Sequence, residues 1–130
     1  MRTALDTSVL LDVITADTKF CDSSETALRR VAAEGALLIG ECVLAEIAPA
    51  LREADLLSFL SDLNIGYVPS SQEAAILAGE MFGKYLARRG GSTRRVLPDF
   101  LIGAHARCHA DRLLARDRGY YRDYFAGLKV

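Results

Sequence analysis

Four short apolar runs, each too short to form a core helix, constrain the fold of this chain most strongly. They cover residues 2–6, with Asp6 at the end, 36–39, 64–68 and 112–115, and segments with helical spacing of apolar residues separate them. Short, continuous apolar runs are typical of buried strands in a parallel sheet. A fifth brief strand is predicted at residues 128–130. Strands that alternate with helices predict a three-layer α/β/α fold with a mostly parallel sheet and right-handed crossovers.

Six helices are predicted between these strands. The first starts at Ser8 or Val9, and the next three span 24–34, 41–48 and 53–63. The fifth starts after the capping residue Ser70 or Ser71, and the sixth follows Pro98 and spans 99–108. The polar, arginine-rich run at residues 88–95 ends the fifth helix. At 130 residues, 51% of them hydrophobic, the chain has the size and composition of one domain, residues 1–130.

Composition excludes several classes of protein. Uninterrupted apolar runs stay well short of the roughly 20 residues that cross a bilayer. Asp6 and Asp12 interrupt any signal-peptide core at the N-terminus. The three cysteines form no Cys-x-x-Cys pair, so neither a disulfide framework nor a zinc knuckle is indicated. We therefore expect a cytoplasmic protein with no membrane contact.

The charge is distributed unevenly along the chain. Residues 1–83 have 5 Lys and Arg against 13 Asp and Glu, a balance of −8, whereas residues 84–130 have 11 against 4, a balance of +7. Such asymmetry is typical of a basic face for a polyanion or an acidic cluster for cations, and equally of charge complementarity within one fold.

Four acidic residues are predicted to meet at one edge of the sheet. Asp6 ends the first strand, Glu46 lies one turn into the helix after the second, Asp99 begins the helix before the fourth, and Asp117 follows that fourth strand. The carboxyl ends of parallel strands form the ligand-binding edge of such sheets. Taken singly, Asp6 and Asp99 could equally be helix caps or exposed acids.

Clustered carboxylates repel one another unless a positive group lies between them. That group is either Lys or Arg, or a bound cation. An all-oxygen ligand set selects Mg²⁺ or Mn²⁺ over zinc. Such ions suit phosphodiester hydrolysis, because they activate water and neutralise charge on the leaving oxygen.

The order and spacing of these motifs resemble those of PIN-domain ribonucleases, most closely the VapC-type toxins of toxin–antitoxin pairs. The resemblance spans nearly the whole chain and rests on four segments: Leu5-Asp6-Thr7-Ser8, Leu44-Ala45-Glu46-Ile47, the Pro98-Asp99-x-x-Ile102-Gly103-Ala104-x-Ala106 run, and residues 113–121.

The resemblance implies strand order 3-2-1-4-5, Mg²⁺- or Mn²⁺-dependent endonucleolytic cleavage of RNA, a cognate antitoxin that inhibits the enzyme, and a homodimer. Asp6, Glu46, Asp99 and Asp117 match the four acidic positions of the family, which bind the metal. Ser8 matches a small hydroxyl residue that orients the first aspartate or the attacking water. Ala115 departs from the family, which often has Thr or Ser there, and so removes a polar support of the metal site.

Basic and aromatic residues around the third and fourth acids are candidates for RNA contact. Arginine guanidinium groups would hold phosphates, and tyrosines would stack on unpaired bases. The candidates are Arg94, Arg95, Arg116, Arg118 and Tyr120, with Tyr121 and Tyr124 as further stacking candidates. The alternative is a solvated basic rim with core tyrosines.

Other interpretations remain open at this stage. His105 and His109 have the spacing of paired metal ligands, but they point away from the Asp99 side of their helix. A catalytically weak module of the same fold could bind RNA or a protein without turnover. A phosphoaspartyl protein is a third possibility, although a phosphatase of that type needs an aspartate where this chain has Ser8.

Overall fold

The computed structural model of the chain describes residues 1–88, 97–116, 121, 124 and 125. Its strands are β1 Arg2–Leu5, β2 Ala36–Ile39, β3 Ile65–Tyr67 and β4 Arg112–Leu114. Its helices are α1 Thr7–Ile14, α2 Cys21–Glu34, α3 Glu41–Ile47, α4 Glu53–Asp62, α5 Gln72–Arg88 and α6 Leu97–His109, with a 3₁₀ turn at Ala48–Ala50. Among the described residues, no helix is long and apolar enough to span a membrane.

The four strands form one parallel sheet in the order β3-β2-β1-β4. Thr3 of the central strand β1 pairs with Leu37 of β2 on one side and with Arg112 of β4 on the other. The predicted α/β fold and the 3-2-1-4 part of the strand order are confirmed. The fifth strand, predicted at 128–130, lies outside the described residues.

Helices cover both faces of this sheet. The last three residues of β1 and of β2 are all buried, although alternate residues of a strand point to opposite faces. Because parallel crossovers are right-handed, the helices between β1 and β3 and those between β3 and β4 lie on opposite faces. The central strands therefore contribute side chains to both halves of the core.

Helix boundaries follow from local hydrogen bonds, and α1, α2 and α6 begin one to three residues before their predicted starts. α2 begins at Cys21 rather than Ser24, because the Asp17 carboxylate accepts hydrogen bonds from the amides of Lys19 and Phe20 at 2.9 and 2.8 Å and closes the preceding turn. The predicted cap of α5 is Ser71, whose hydroxyl accepts a hydrogen bond from the amide of Ala74 at 3.1 Å. Pro98 lies in the first turn of α6, where a missing amide hydrogen costs nothing.

An aromatic cluster fixes the start of α6. Phe100 is fully buried, and its ring centroid lies 5.1 Å from that of Tyr124 and 5.5 Å from that of Tyr85. One turn on, a Cβ at Gly103 would lie 2.4 Å from the ring of Phe125, so only glycine permits this close approach. The first turn of α6, which includes Asp99, is thereby held rigidly against the core.

Candidate metal and RNA site

Asp6 lies at the carboxyl end of β1, and both of its carboxylate oxygens accept hydrogen bonds. It is the N-cap of α1. The hydroxyl and the amide of Ser8 donate to Oδ2 at 2.5 and 3.3 Å, and the hydroxyl of Tyr121 donates to Oδ1 at 2.8 Å. The side chain is buried, with 7% of the residue exposed. Its orientation is thus fixed from both sides.

Glu46 faces the same edge of the sheet from α3. The hydroxyl of Thr7, the residue after Asp6, donates a hydrogen bond to Oε1 of Glu46 at 2.6 Å. Nothing in the sequence pattern pointed to Thr7, because its partner is 39 positions away. This contact links α3 to the start of α1 and places the second predicted acid beside the first.

Asp99, in the first turn of α6, completes a cleft of about 340 Å³. The cleft is lined by Asp6, Thr7, Ser8, Leu11, Glu46, Asp99, Arg116 and Tyr121. Three of the four predicted acids therefore share one cleft with the predicted Ser8. The fourth, Asp117, lies outside the described residues, as do Arg94, Arg95, Arg118 and Tyr120.

The negative charge of the cleft acts on two neighbouring groups. Burial, together with the smaller effect of the charges of Glu46, Glu41, Asp99 and Asp6, raises the pKa of the Cys42 thiol from 9.0 to about 12. Burial likewise raises the pKa of the Tyr121 hydroxyl, together with the charge of Asp6 and the hydrogen bond to it. Both groups are therefore neutral donors at physiological pH, and they leave the charge of the carboxylates intact.

Cys42 also connects the two helices that present Glu46 and Asp99. Its sulfur lies 4.0 Å from Oε1 of Glu46 and 3.8 Å from the carbonyl oxygen of Pro98. The thiol is thus a weak donor between α3 and α6 rather than a nucleophile, since the thiolate is the reactive form.

We predict that iodoacetamide alkylates Cys42 very slowly in the folded chain at pH 8. With a pKa of about 12, only about one thiol in ten thousand is ionised at that pH. The rate, followed by mass spectrometry of the Cys42 peptide, should be on the order of a hundredfold or more below that in the unfolded chain. Similar rates in the two states would contradict the described environment of Cys42.

Arg116 lines the cleft, but its guanidinium binds a buried acid. Nε and Nη2 donate to the two carboxylate oxygens of Asp12 at 3.0 and 3.2 Å, and the guanidinium carbon lies 4.0 Å from the centroid of Phe20. Ser24 donates a third hydrogen bond to Asp12 at 2.7 Å. Asp12 is 3% exposed, and its hydrogen bonds anchor the segment after β4 to α1 and α2.

The remaining candidates have structural contacts. Tyr121 is 3% exposed, so its ring is part of the core and is not available for base stacking. Nε2 of His105 lies 2.6 Å from the carbonyl oxygen of Val68, and Nε2 of His109 accepts a hydrogen bond from the amide of Ser71 at 3.0 Å. Burial lowers the pKa of His105. The two imidazoles hold the β3–α5 connection, and these contacts occupy their Nε2 atoms.

The donor set of the cleft fits a hard divalent cation. The potential ligands are carboxylate and hydroxyl oxygens, which Mg²⁺ and Mn²⁺ prefer, and the hydrogen bonds described for Asp6 and Glu46 come from neutral groups. Within the described residues, no three Asp, Glu, His or Cys side chains converge tightly enough to hold an ion as they stand. An ion here would be held by Asp6 together with Glu46 or Asp99.

A family model described as PIN domain matches residues 3–125, nearly the whole chain. The chain belongs to the PIN-domain family. A search of curated proteins finds no significant match.

Solved structures extend the likeness of this PIN domain at the level of the fold. A chain of VapBC2 from Rickettsia felis bound to a DNA fragment from their promoter shares 23% identity with it, with a TM-score of 0.70 and coverage of 99% of this chain and 96% of that one. A chain of DNA-bound VapBC from Salmonella typhimurium shares 16% identity, with a TM-score of 0.68 and coverage of 99% of this chain and 96% of that one. A chain of FitAcB from Neisseria gonorrhoeae shares 17% identity, with a TM-score of 0.66 and coverage of 98% of this chain and 96% of that one.

Proposed function

We propose that this PIN domain is a Mg²⁺- or Mn²⁺-dependent endoribonuclease and the toxin of a toxin–antitoxin pair. The observation that carries the proposal is the convergence of Asp6, Glu46 and Asp99, from three separate elements, on one cleft at the carboxyl edge of the sheet. Asp117, two residues beyond the buried Ala115, is the proposed fourth acid. A partner protein is supported by the similarity to chains of VapBC complexes.

In this proposal, Asp6, Glu46, Asp99 and Asp117 hold the cation. When bound, such an ion supplies an activated water and neutralises charge on the leaving oxygen of the phosphodiester. Ser8 orients the Asp6 carboxylate, and Thr7 holds Glu46 beside it. Preorganised carboxylates lose little freedom when they bind a ligand.

The remaining roles rest on the basic half of the chain. Arg94, Arg95, Arg116, Arg118 and Tyr120 are proposed to contact RNA phosphates and bases near the cleft. The guanidinium of Arg116 already binds Asp12. Arg116 would therefore contact RNA while it keeps this ion pair. A cytoplasmic location and a homodimer are part of the same proposal.

RNA cleavage should depend strictly on a divalent cation. We predict that the purified chain cleaves single-stranded RNA in Mg²⁺ or Mn²⁺, that EDTA abolishes cleavage, and that either ion restores it. The products should carry no 2′,3′-cyclic phosphate, because the attacking oxygen comes from water and not from the 2′-hydroxyl. Gel analysis of end-labelled RNA measures both. Cleavage that persists in EDTA, or cyclic-phosphate ends, would contradict the proposal.

A binding module without turnover is the second candidate. The spacing of the acids favours it, since within the described part of the chain no three of them converge as metal ligands. Ala115 also favours it, because the family often has Thr or Ser at that position. Calorimetry with Mn²⁺ separates the two candidates. Tight binding that Asp6→Asn abolishes supports the nuclease, whereas RNA binding without Mn²⁺ binding or cleavage supports the module.

A further inference from the structure

The hydroxyl of Tyr121, a residue that lines the cleft, makes a buried hydrogen bond there. It donates to Oδ1 of Asp6 at 2.8 Å, and the two residues are 3% and 7% exposed. The contact spans 115 positions of sequence. Tyr121 therefore links the C-terminal part of the chain to Asp6, the first predicted metal ligand.

Asp6 is clamped between two hydroxyl donors. The hydroxyl of Ser8 donates a hydrogen bond to Oδ2, and that of Tyr121 donates to Oδ1. Each carboxylate oxygen has two lone pairs. Oδ2 accepts hydrogen bonds from both the hydroxyl and the amide of Ser8, whereas the hydrogen bond from Tyr121 leaves the second lone pair of Oδ1 available to a cation. The ring of Tyr121 is packed in the core cluster that includes Phe100 and Phe125, which fixes the position of its hydroxyl.

We propose that Tyr121 is a positioning residue that holds the Asp6 carboxylate in its metal-binding orientation. This inference rests on the proposed function of the site. Groups that hydrogen-bond a metal ligand from outside typically change metal affinity or activity by about 10–100-fold when they are removed. The effect is expected here because Tyr121 limits rotation about the terminal torsion of Asp6. Without its hydroxyl, only Ser8 would restrain that rotation, from one side of the carboxylate.

Tyr121→Phe tests the inference because it removes the hydroxyl and keeps the ring. We expect the Kd for Mn²⁺, measured by calorimetry or by the EPR signal of free Mn²⁺, to rise by about 10–100-fold. The Mg²⁺ concentration for half-maximal RNA cleavage should rise by a similar factor, while the KM for RNA stays unchanged. Reversible unfolding raises the apparent Kd only by the reciprocal of the folded fraction, so a tenfold rise would require a variant that is about 90% unfolded. Circular dichroism of the variant detects unfolding on that scale.

Tyr85→Phe is the matched control. Tyr85 is equally buried, 3% exposed, and lies on α5 outside the residues that line the cleft. Its variant should bind Mn²⁺ like the unaltered chain. If Tyr121→Phe also keeps the Mn²⁺ Kd and the Mg²⁺ requirement of the unaltered chain, the positioning role is wrong, although the nuclease proposal stands. If the unaltered chain binds no Mn²⁺ and cleaves no RNA, the proposed function and this inference both fail.

Discussion

Asp6→Asn should reduce RNA cleavage by at least about a hundredfold while leaving the fold intact. Loss of a ligand should exceed the 10–100-fold effect typical of the groups that merely support ligands. The amide has the same shape as the carboxylate, and asparagine caps helices as well as aspartate does. Its NH₂ group would face the hydroxyl of Ser8 or Tyr121, either of which can accept a hydrogen bond. What the variant loses is the negative charge.

The measurement is the initial rate of RNA cleavage at saturating Mg²⁺, with circular dichroism to verify the fold. Asp62→Asn is the control, because Asp62 is an exposed aspartate at the end of α4, away from the cleft. It makes the same change in net charge and should keep full activity. A correctly folded Asp6→Asn chain with unreduced activity would remove Asp6 from the mechanism.

Arg116→Met should lower the free energy of unfolding by about 2 kcal/mol. Breaking a buried ion pair by removing one partner typically costs about 3–5 kcal/mol, because it leaves a buried charge without compensation. Here the side chain of Asp12 is 4% exposed, but that of Arg116 is 40% exposed, so solvent reduces the loss. Methionine keeps an aliphatic chain over the ring of Phe20. Urea unfolding gives the value directly.

Two further variants separate charge from packing. Adding Asp12→Asn to Arg116→Met removes the unpaired charge and keeps a partner for Ser24, so the double variant should be more stable than Arg116→Met alone. Arg29→Met breaks the exposed pair with Glu25, whose side chains are 77% and 42% exposed, and should change stability by less than about 0.5 kcal/mol. Equal losses in Arg116→Met and Arg29→Met would contradict the anchoring role of Asp12.

The sheet and most of the cleft could be predicted because both depend on local patterns. An apolar run of three to five residues followed by an acid or a helix cap marks the end of a parallel strand, and such ends meet at one edge of the sheet. This reasoning brought together Asp6, Glu46 and Asp99, which the structure places in one cleft.

The supporting contacts could not be predicted, since each depends on the packing of distant segments. Tyr121 reaches Asp6 across 115 positions and Arg116 reaches Asp12 across 104. A tyrosine in a basic segment has the same local pattern whether it stacks on a base or hydrogen-bonds a carboxylate. Likewise, Asp12 looks like an exposed helix residue until α2 covers it and Ser24 and Arg116 hydrogen-bond its carboxylate.

Diffraction from crystals soaked in Mn²⁺ tests the central claim most directly, because the anomalous signal locates the ion independently of the protein atoms. The account predicts a peak in the cleft, within coordination distance (about 2.0–2.3 Å) of carboxylate oxygens of Asp6 and of at least one of Glu46, Asp99 and Asp117. The peak should be absent from Asp6→Asn crystals soaked in the same way. A cleft without a peak at saturating Mn²⁺, or a peak bound elsewhere on the chain, would contradict a metal-dependent nuclease centre at these acids.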